Sequence, residues 1–323
     1  MPELAPHLTR VTYPSLTTLL PFLTSLLTSR RTKSPLIYHQ LPPSAVSSSS
    51  LDPRVHTVLL SITPDPRVYQ LLHTHRPEIL FLHHPWKLDR SKVPEETVVV
   101  TSHEAFDDRF TTGWNTALAR RLGVVDGSGD QDSLKSDNQG DDEGFEKPKD
   151  EDGLKRMVCL KGHKGEKERR IGLVGWFPEV ECREFVGRVE EEFGGVGEMV
   201  LFGAQSQTHE RDEGDIVKVE GVKQEDNEDH RLPGDTQVDT LACLNAFTAE
   251  IIERVMAAAP MAKGVVVVTG ERKDSGMKRA RELGVKAVVC VGHKRCEVWG
   301  LHYVAEQIRN FAENEVGTIV VEE

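Results

Sequence analysis

The chain has 323 residues, of which 52 are acidic and 40 basic, and residues 126–157 (11 acidic, 5 basic) and 206–238 (10 acidic, 4 basic) account for the whole formal charge of −12. The other 258 residues are charge-balanced, which argues against a nucleic-acid binder working through a bulk basic surface. No run of 18 apolar residues marks a transmembrane helix, and the five scattered cysteines (Cys159, Cys182, Cys243, Cys290, Cys296), no two of them separated by two residues, fit neither a disulfide scaffold nor a cysteine zinc module.

Leu16, Leu19, Leu20, Leu23, Leu26 and Leu27 fall at helical spacing and predict a first helix. Arg10, Arg30 and Arg31 in an acid-poor stretch also fit a transit peptide. The cysteine usage points instead to a reducing, cytoplasmic setting, with nuclear or mitochondrial placement open. Pro42 to Ser50 reads as a surface loop. Apolar runs with strand character follow at Thr57–Ile62, Ile79–Leu82 and Thr97–Val100, with helices at Pro64–His75 and Trp114–Leu122. Asp126–Met157 is too polar to offset its ordering entropy and reads as a disordered acidic insertion. Then come a strand at Ile171–Val174, a helix at Val180–Phe193 and a strand at Met199–Phe202. Ser206–Val238 reads as a second acidic disordered insertion, in which Ile216, Val217 and Val219 have edge-strand character. The last third predicts a helix at Thr248–Ala258, a buried strand at Gly264–Thr269, a helix N-capped by Asp274 and ended by Gly284, a strand at Lys286–Val291, a helix at Cys296–Glu313 and a strand at Thr318–Val321. Continuous apolar strands alternating with amphipathic helices define an α/β fold with a parallel or mixed sheet. The implied organisation is an N-terminal α/β lobe (1–125), an insertion (126–157), a middle α/β segment (158–205), an insertion (206–238) and a C-terminal α/β segment (239–323).

Three strands end in chemistry-bearing residues, where ligands of open α/β sheets bind. Ile79–Leu82 runs into His83-His84-Pro85-Trp86, and Pro85 predicts an extended His84 with its ring turned away from that of His83. Thr97–Thr101 runs into His103 and, four residues on, Asp107, which share one side of a helical turn. Lys286–Val291 runs through Gly292 into His293 and Glu297 at the same spacing. Taken singly, these motifs read better as an ordinary polar turn or an acidic helix start than as ligands. Together, four imidazoles and two carboxylates can hold two divalent ions. Asp108 competes with Asp107. A phosphate loop, a dinucleotide fingerprint and a nucleophile elbow are all missing from the sequence. The basic run Lys161-Gly162-His163-Lys164 with Lys167, Arg169 and Arg170 reads as a solvated hairpin, and Cys296 as a buried thiol.

At these motifs the sequence resembles the GTP cyclohydrolase I type 2-like, or Nif-three-like, family. The resemblance is carried by Leu82-His83-His84-Pro85; by His103 to Asp107 with Gly113-Trp114-Asn115 and Leu122-Gly123; by Thr269-Gly270-Glu271; and by Gly292-His293 to Glu297 with Trp299-Gly300-Leu301. It implies a two-lobed mixed-sheet fold interrupted by the two acidic insertions. It also implies a pair of divalent ions of the zinc, manganese or iron class held by His83, His84, His103, Asp107, His293 and Glu297. A homo-oligomer, commonly hexameric in the family, and a hydrolase acting on a nucleotide or pteridine-type substrate are implied too, with Glu271 as a nearby proton acceptor. The alternative is a non-enzymatic metal-binding factor whose acidic segments meet protein partners. Two family signatures are altered, at Ile37-Tyr38-His39-Gln40-Leu41 and at Leu244-Asn245-Ala246-Phe247.

Overall fold

The computed structural model describes residues 13–27, 36–40, 52–124, 157–163, 165–202 and 236–322. Arg10, Arg30, Arg31, the Pro42–Ser50 loop, Lys164 and nearly all of both acidic insertions lie outside the described residues. The chain divides into two compact units, Met1–Asp107 with Glu297–Glu323, and Asp108–Cys296.

The first unit is built on a five-stranded sheet. Helix α1 (Leu16–Leu27) buries Leu19, Leu23, Leu26 and Leu27, the leucine stripe read from the sequence. Strand β1 (Ile37–His39) precedes β2 (Thr57–Ser61), whose Val58, Leu59 and Leu60 are fully buried. Helix α2 (Pro66–His75) follows. The Asp65 side chain accepts from Val68 N–H at 2.9 Å, Pro66 supplies the helical φ at the first position, and Arg76 closes the helix in a left-handed conformation. Strands β3 (Ile79–Leu82) and β4 (Val98–Thr101) lead into α3 (Glu104–Phe110). Far along the chain, α8 (His293–Phe311) leads into β11 (Gly317–Val321), which returns to this sheet. The order is β1-β4-β3-β2-β11, parallel throughout except for β1, which runs antiparallel to β4 at an edge. Strands buried on both faces explain why β2, β3 and β4 are unbroken apolar runs.

The second unit has α4 (Thr116–Arg121), β5 (Met157–His163), β6 (Glu166–Glu181), α5 (Cys182–Phe193), β7 (Glu198–Leu201), β8 (Gln237–Leu244), α6 (Ala249–Ala258), β9 (Val265–Thr269), α7 (Asp274–Glu282) and β10 (Ala287–Cys290). Its six-stranded mixed sheet runs β5-β6-β8-β9-β10-β7, with β8, β9 and β10 parallel and the outer pairings antiparallel. The basic run is the β5–β6 hairpin, where Arg254 donates to the carbonyls of Lys161 and Gly162. Among the described residues no helix is long and apolar enough to cross a membrane.

Several boundaries differ from the sequence reading. Strand β6 has 16 residues rather than four and takes in Val180, so α5 starts at Cys182. Gln237 and Val238, read as the end of an insertion, pair with Glu181 and Val180 at the start of β8. Asp274 does not cap α7: Lys273 holds the cap position without a side-chain bond, and Asp274 is the first helical residue, where its charge still suits the helix dipole. Helix α8 begins three residues earlier than read, at His293.

The entry of β9 is tightly fixed. The Asp239 carboxylate accepts from the backbone N–H of Lys263 (3.1 Å) and Gly264 (3.3 Å), and a Cβ on Gly264 would stand 2.3 Å from the Gln237 carbonyl oxygen. Backbone cannot yield as a flexible side chain can. Gly264→Ala is therefore expected to lower unfolding free energy by roughly 2 kcal/mol, measured by urea denaturation.

Candidate metal centre

The site starts from two consecutive backbone bonds. His83 N–H donates to the Ser61 carbonyl (3.1 Å) and His84 N–H to that of Ile62 (2.7 Å). In a regular strand successive N–H groups face opposite neighbours, so the alternation of β3 has ended here. This corrects the expectation drawn from Pro85: the two imidazoles do not diverge but lie against each other at a tilt, with ring centroids 4.1 Å apart and planes 31° from parallel. On the next strand end, Asp107 N–H donates to the His103 carbonyl at 2.9 Å, which closes one helical turn and sets His103 Nε2 3.6 Å from Asp107 Oδ2. Glu297 enters from α8.

His83 is the hub. Its side chain is completely buried, and Nδ1 lies 2.9 Å from the Ser102 carbonyl oxygen, which can only accept; Nδ1 therefore carries a proton. The Ser102 hydroxyl in turn donates to the Leu27 carbonyl at 2.5 Å, fixing this loop to the end of α1. In the neutral ring, Nε2 is then left with its lone pair. It lies 3.2 Å from Asp107 Oδ1 and 3.2 Å from Glu297 Oε1, and only the protonated ring can donate to them. Ligand atoms sharing a cation at about 2.0–2.2 Å stand about 3.0–3.5 Å apart. The donor set passes that test, and the bond from Nδ1 to a carbonyl is the support that metal-bound histidines have. His84 Nε2 lies 3.8 Å from Glu297 Oε1. Ligand atoms of His83, His84 and His103 form one compact group, and those of His83, Asp107 and Glu297 a second, each within 4.8 Å; His83 belongs to both. The cluster can hold a metal ion.

Its electrostatics follow from burial and proximity. Burial works to lower the pKa of His83, but hydrogen bonding and charge from Asp107 and Glu297, with help from the Ser102 carbonyl, raise it to about 9. Burial lowers that of His84, and a charge on His83 lowers it further. Burial also lowers that of His103, against the opposing pull of Asp107. The raised pKa favours a proton on His83 Nε2 between the two carboxylates, a place that a cation could take instead.

The structure brings His83, His84, His103, Asp107 and Glu297 together within the first unit. Asp108, the competitor to Asp107, lies 3.6 Å from the Arg169 Nε and belongs to the second unit. His293 opens α8 one turn before Glu297, and its Cα lies 3.6 Å from where a Cβ on Gly270 would stand. Glu271 is exposed in the loop after β9. The five cysteines form no disulfide; Cys296 is buried, and burial pushes the thiols of Cys159, Cys182 and Cys290 up to about 11. Two participants gave no sequence signal of their own role. Ser102 acts through its main-chain carbonyl, which every residue has. Trp86, which stacks on His84, is only one aromatic among 19 in the sequence.

No protein-family model matches the sequence, and no curated protein matches it significantly. Solved structures do match. A protein described as ybgI, of unknown function, is 13% identical, with 96% of this chain and 99% of that chain covered at a TM-score of 0.54. Reduced HcgD from Methanocaldococcus jannaschii is 16% identical, with 97% and 100% covered at 0.52. A Bacillus cereus protein described as related to NIF3 is 13% identical, with 97% and 98% covered at 0.49. The first two establish the fold, and it is the Nif-three-like α/β fold.

The raised pKa of His83 carries a sign. Protonation of His83 stabilises the folded, metal-free protein; that stability is complete below pH 6.5 and is lost as pH rises through about 9. Metal-free protein is expected to lose roughly 3 kcal/mol between pH 6.5 and pH 9 by chemical denaturation. Glu297→Gln should flatten that dependence.

Proposed function

We propose that the chain is a dinuclear divalent-metal protein that hydrolyses a nucleotide or pteridine-type substrate. His83, His84, His103, Asp107, His293 and Glu297 are the proposed ligands, with ions of the zinc, manganese or iron class. The observation that carries the reading is the buried His83 Nε2, aimed between two carboxylate oxygens and fixed there from its other nitrogen. A mixed set of imidazoles and carboxylates suits borderline and hard divalent ions alike. Such ions supply Lewis acidity that activates water near neutral pH and polarises an electrophilic substrate centre.

The protein's own residues have separable tasks. His83 and Glu297 are buried and set the geometry. His84 is partly exposed and His103 more so, with 44% of its side chain accessible, and these two face incoming substrate. Glu271 is proposed as a proton acceptor, and assembly as a homo-oligomer, hexameric as in the family, follows from the resemblance. The acidic segments give the non-enzymatic alternative its support, since charged tails of this kind commonly meet protein partners.

The test is elemental analysis of the purified protein beside a nucleotide hydrolysis screen. Wild type is expected to carry metal and hydrolyse GTP or a related compound, and the double variant His84→Ala/Glu297→Ala to lose both. Unchanged metal content in the variant would overturn the ligand assignment. Hydrolysis that survives in it would overturn the metal mechanism, and bound metal with no hydrolysis would favour the binding factor.

A further inference from the structure

Trp86 is 65% exposed although it is the largest apolar side chain type a protein has, and it sits beside the two most accessible histidines of the cluster. Its position is built in. Leu88 N–H donates to the Pro85 carbonyl at 2.9 Å, closing a turn in which Pro85 is buried and Trp86 takes the first corner. One face of the indole lies on His84, with centroids 4.8 Å apart and planes 21° from parallel, and His103 meets the ring edge-on at 5.1 Å and 72°. His84 in turn meets His83 at a tilt of 31°, with centroids 4.1 Å apart, and His83 packs against Phe106 at 4.6 Å and 37°. A run of touching rings therefore leads outward from the core, and its outermost pair is stacked and ends on an indole with accessible surface remaining. A further ring can stack on the exposed indole with the offset geometry that its contact with His84 already shows.

We propose that the accessible face of Trp86 is the stacking surface that selects a planar heteroaromatic ring, purine- or pteridine-like, as the part of the substrate held beside His84 and His103. This rests on the metal-dependent reading above and specifies the substrate class at that same site. Stacking on an exposed aromatic selects a flat ring without distinguishing among ring types, because every base has a π-face. It discriminates strongly against a sugar phosphate that lacks one. Specificity for one base then comes from groups other than Trp86.

The test uses the full chain loaded with Mn²⁺, with GMP and ribose 5-phosphate as calorimetric probes, on wild type, Trp86→Leu and Trp86→Phe. Wild type is expected to prefer GMP. Trp86→Leu should weaken GMP binding about tenfold and leave ribose 5-phosphate affinity and metal content unchanged, while Trp86→Phe recovers most of the loss. Equal weakening of both probes, loss of metal in Trp86→Leu, or no preference for GMP in wild type would overturn the proposal. The two readings fail separately. Wild type that holds metal but shows no ring preference sinks the stacking surface alone. Wild type that holds no metal yet binds GMP through Trp86 sinks the metal reading and supports the stacking surface.

Discussion

The ring of His83 is fully buried, and its two nitrogens face opposite kinds of partner. Nδ1 meets a main-chain carbonyl, which can only accept, so the proton there is fixed by geometry. Nε2 meets two carboxylate oxygens at equal distance, which either hold a second proton on the ring or share a cation with it. Two carboxylates facing one another with neither, Glu297 buried and Asp107 partly so, would be penalised. The arrangement around His83 follows from that constraint. Ser102 must present its carbonyl inward, which its hydroxyl secures by gripping the end of α1. The end of β3 must leave the strand pattern to bring His84 alongside, and α3 and α8 must each place one carboxylate at the same point.

The cluster is also graded from dry to wet. His83 and Glu297 are buried, His84 is mostly covered, His103 is nearly half exposed, and Trp86 is largely in solvent. Charge interactions strengthen as water is excluded, so a cation held here would draw most of its attraction from the inner pair. The outer pair keeps contact with whatever diffuses in. Such a division lets a site be rigid where geometry matters and open where exchange matters, without a moving part.

Much of the fold was legible because its strands are short, fully buried and unbroken by polar residues: β2, β3, β4, β9 and β10 all stand within a residue or so of their sequence assignment. The misses have different causes, and β8 as a whole was not read as a strand. Val180, Gln237 and Val238 flank charged segments, and local polarity hid a pairing that only their distant partners determine. Asp274 is a good capping residue by type, but the backbone turn came one position earlier. In the site, the His-to-carboxylate spacing of four was readable because one helical turn enforces it. The close approach of the His83 and His84 rings was not, because it depends on backbone hydrogen bonds to Ser61 and Ile62 rather than on the proline that follows them.

The two units differ in how they are threaded. The second is one continuous stretch, so every strand of its sheet is available as soon as that stretch has emerged from the ribosome, and domains generally fold as they emerge. The first unit is interrupted: β11 and Glu297 are translated only after the entire second unit. For most of its synthesis the nascent chain therefore presents His83, His84, His103 and Asp107 beside a sheet lacking its β11 edge and without the carboxylate that completes the inner pair. A cation would meet the complete inner pair only after translation has passed residue 297, which makes α8 and β11 a checkpoint on when the cluster is complete.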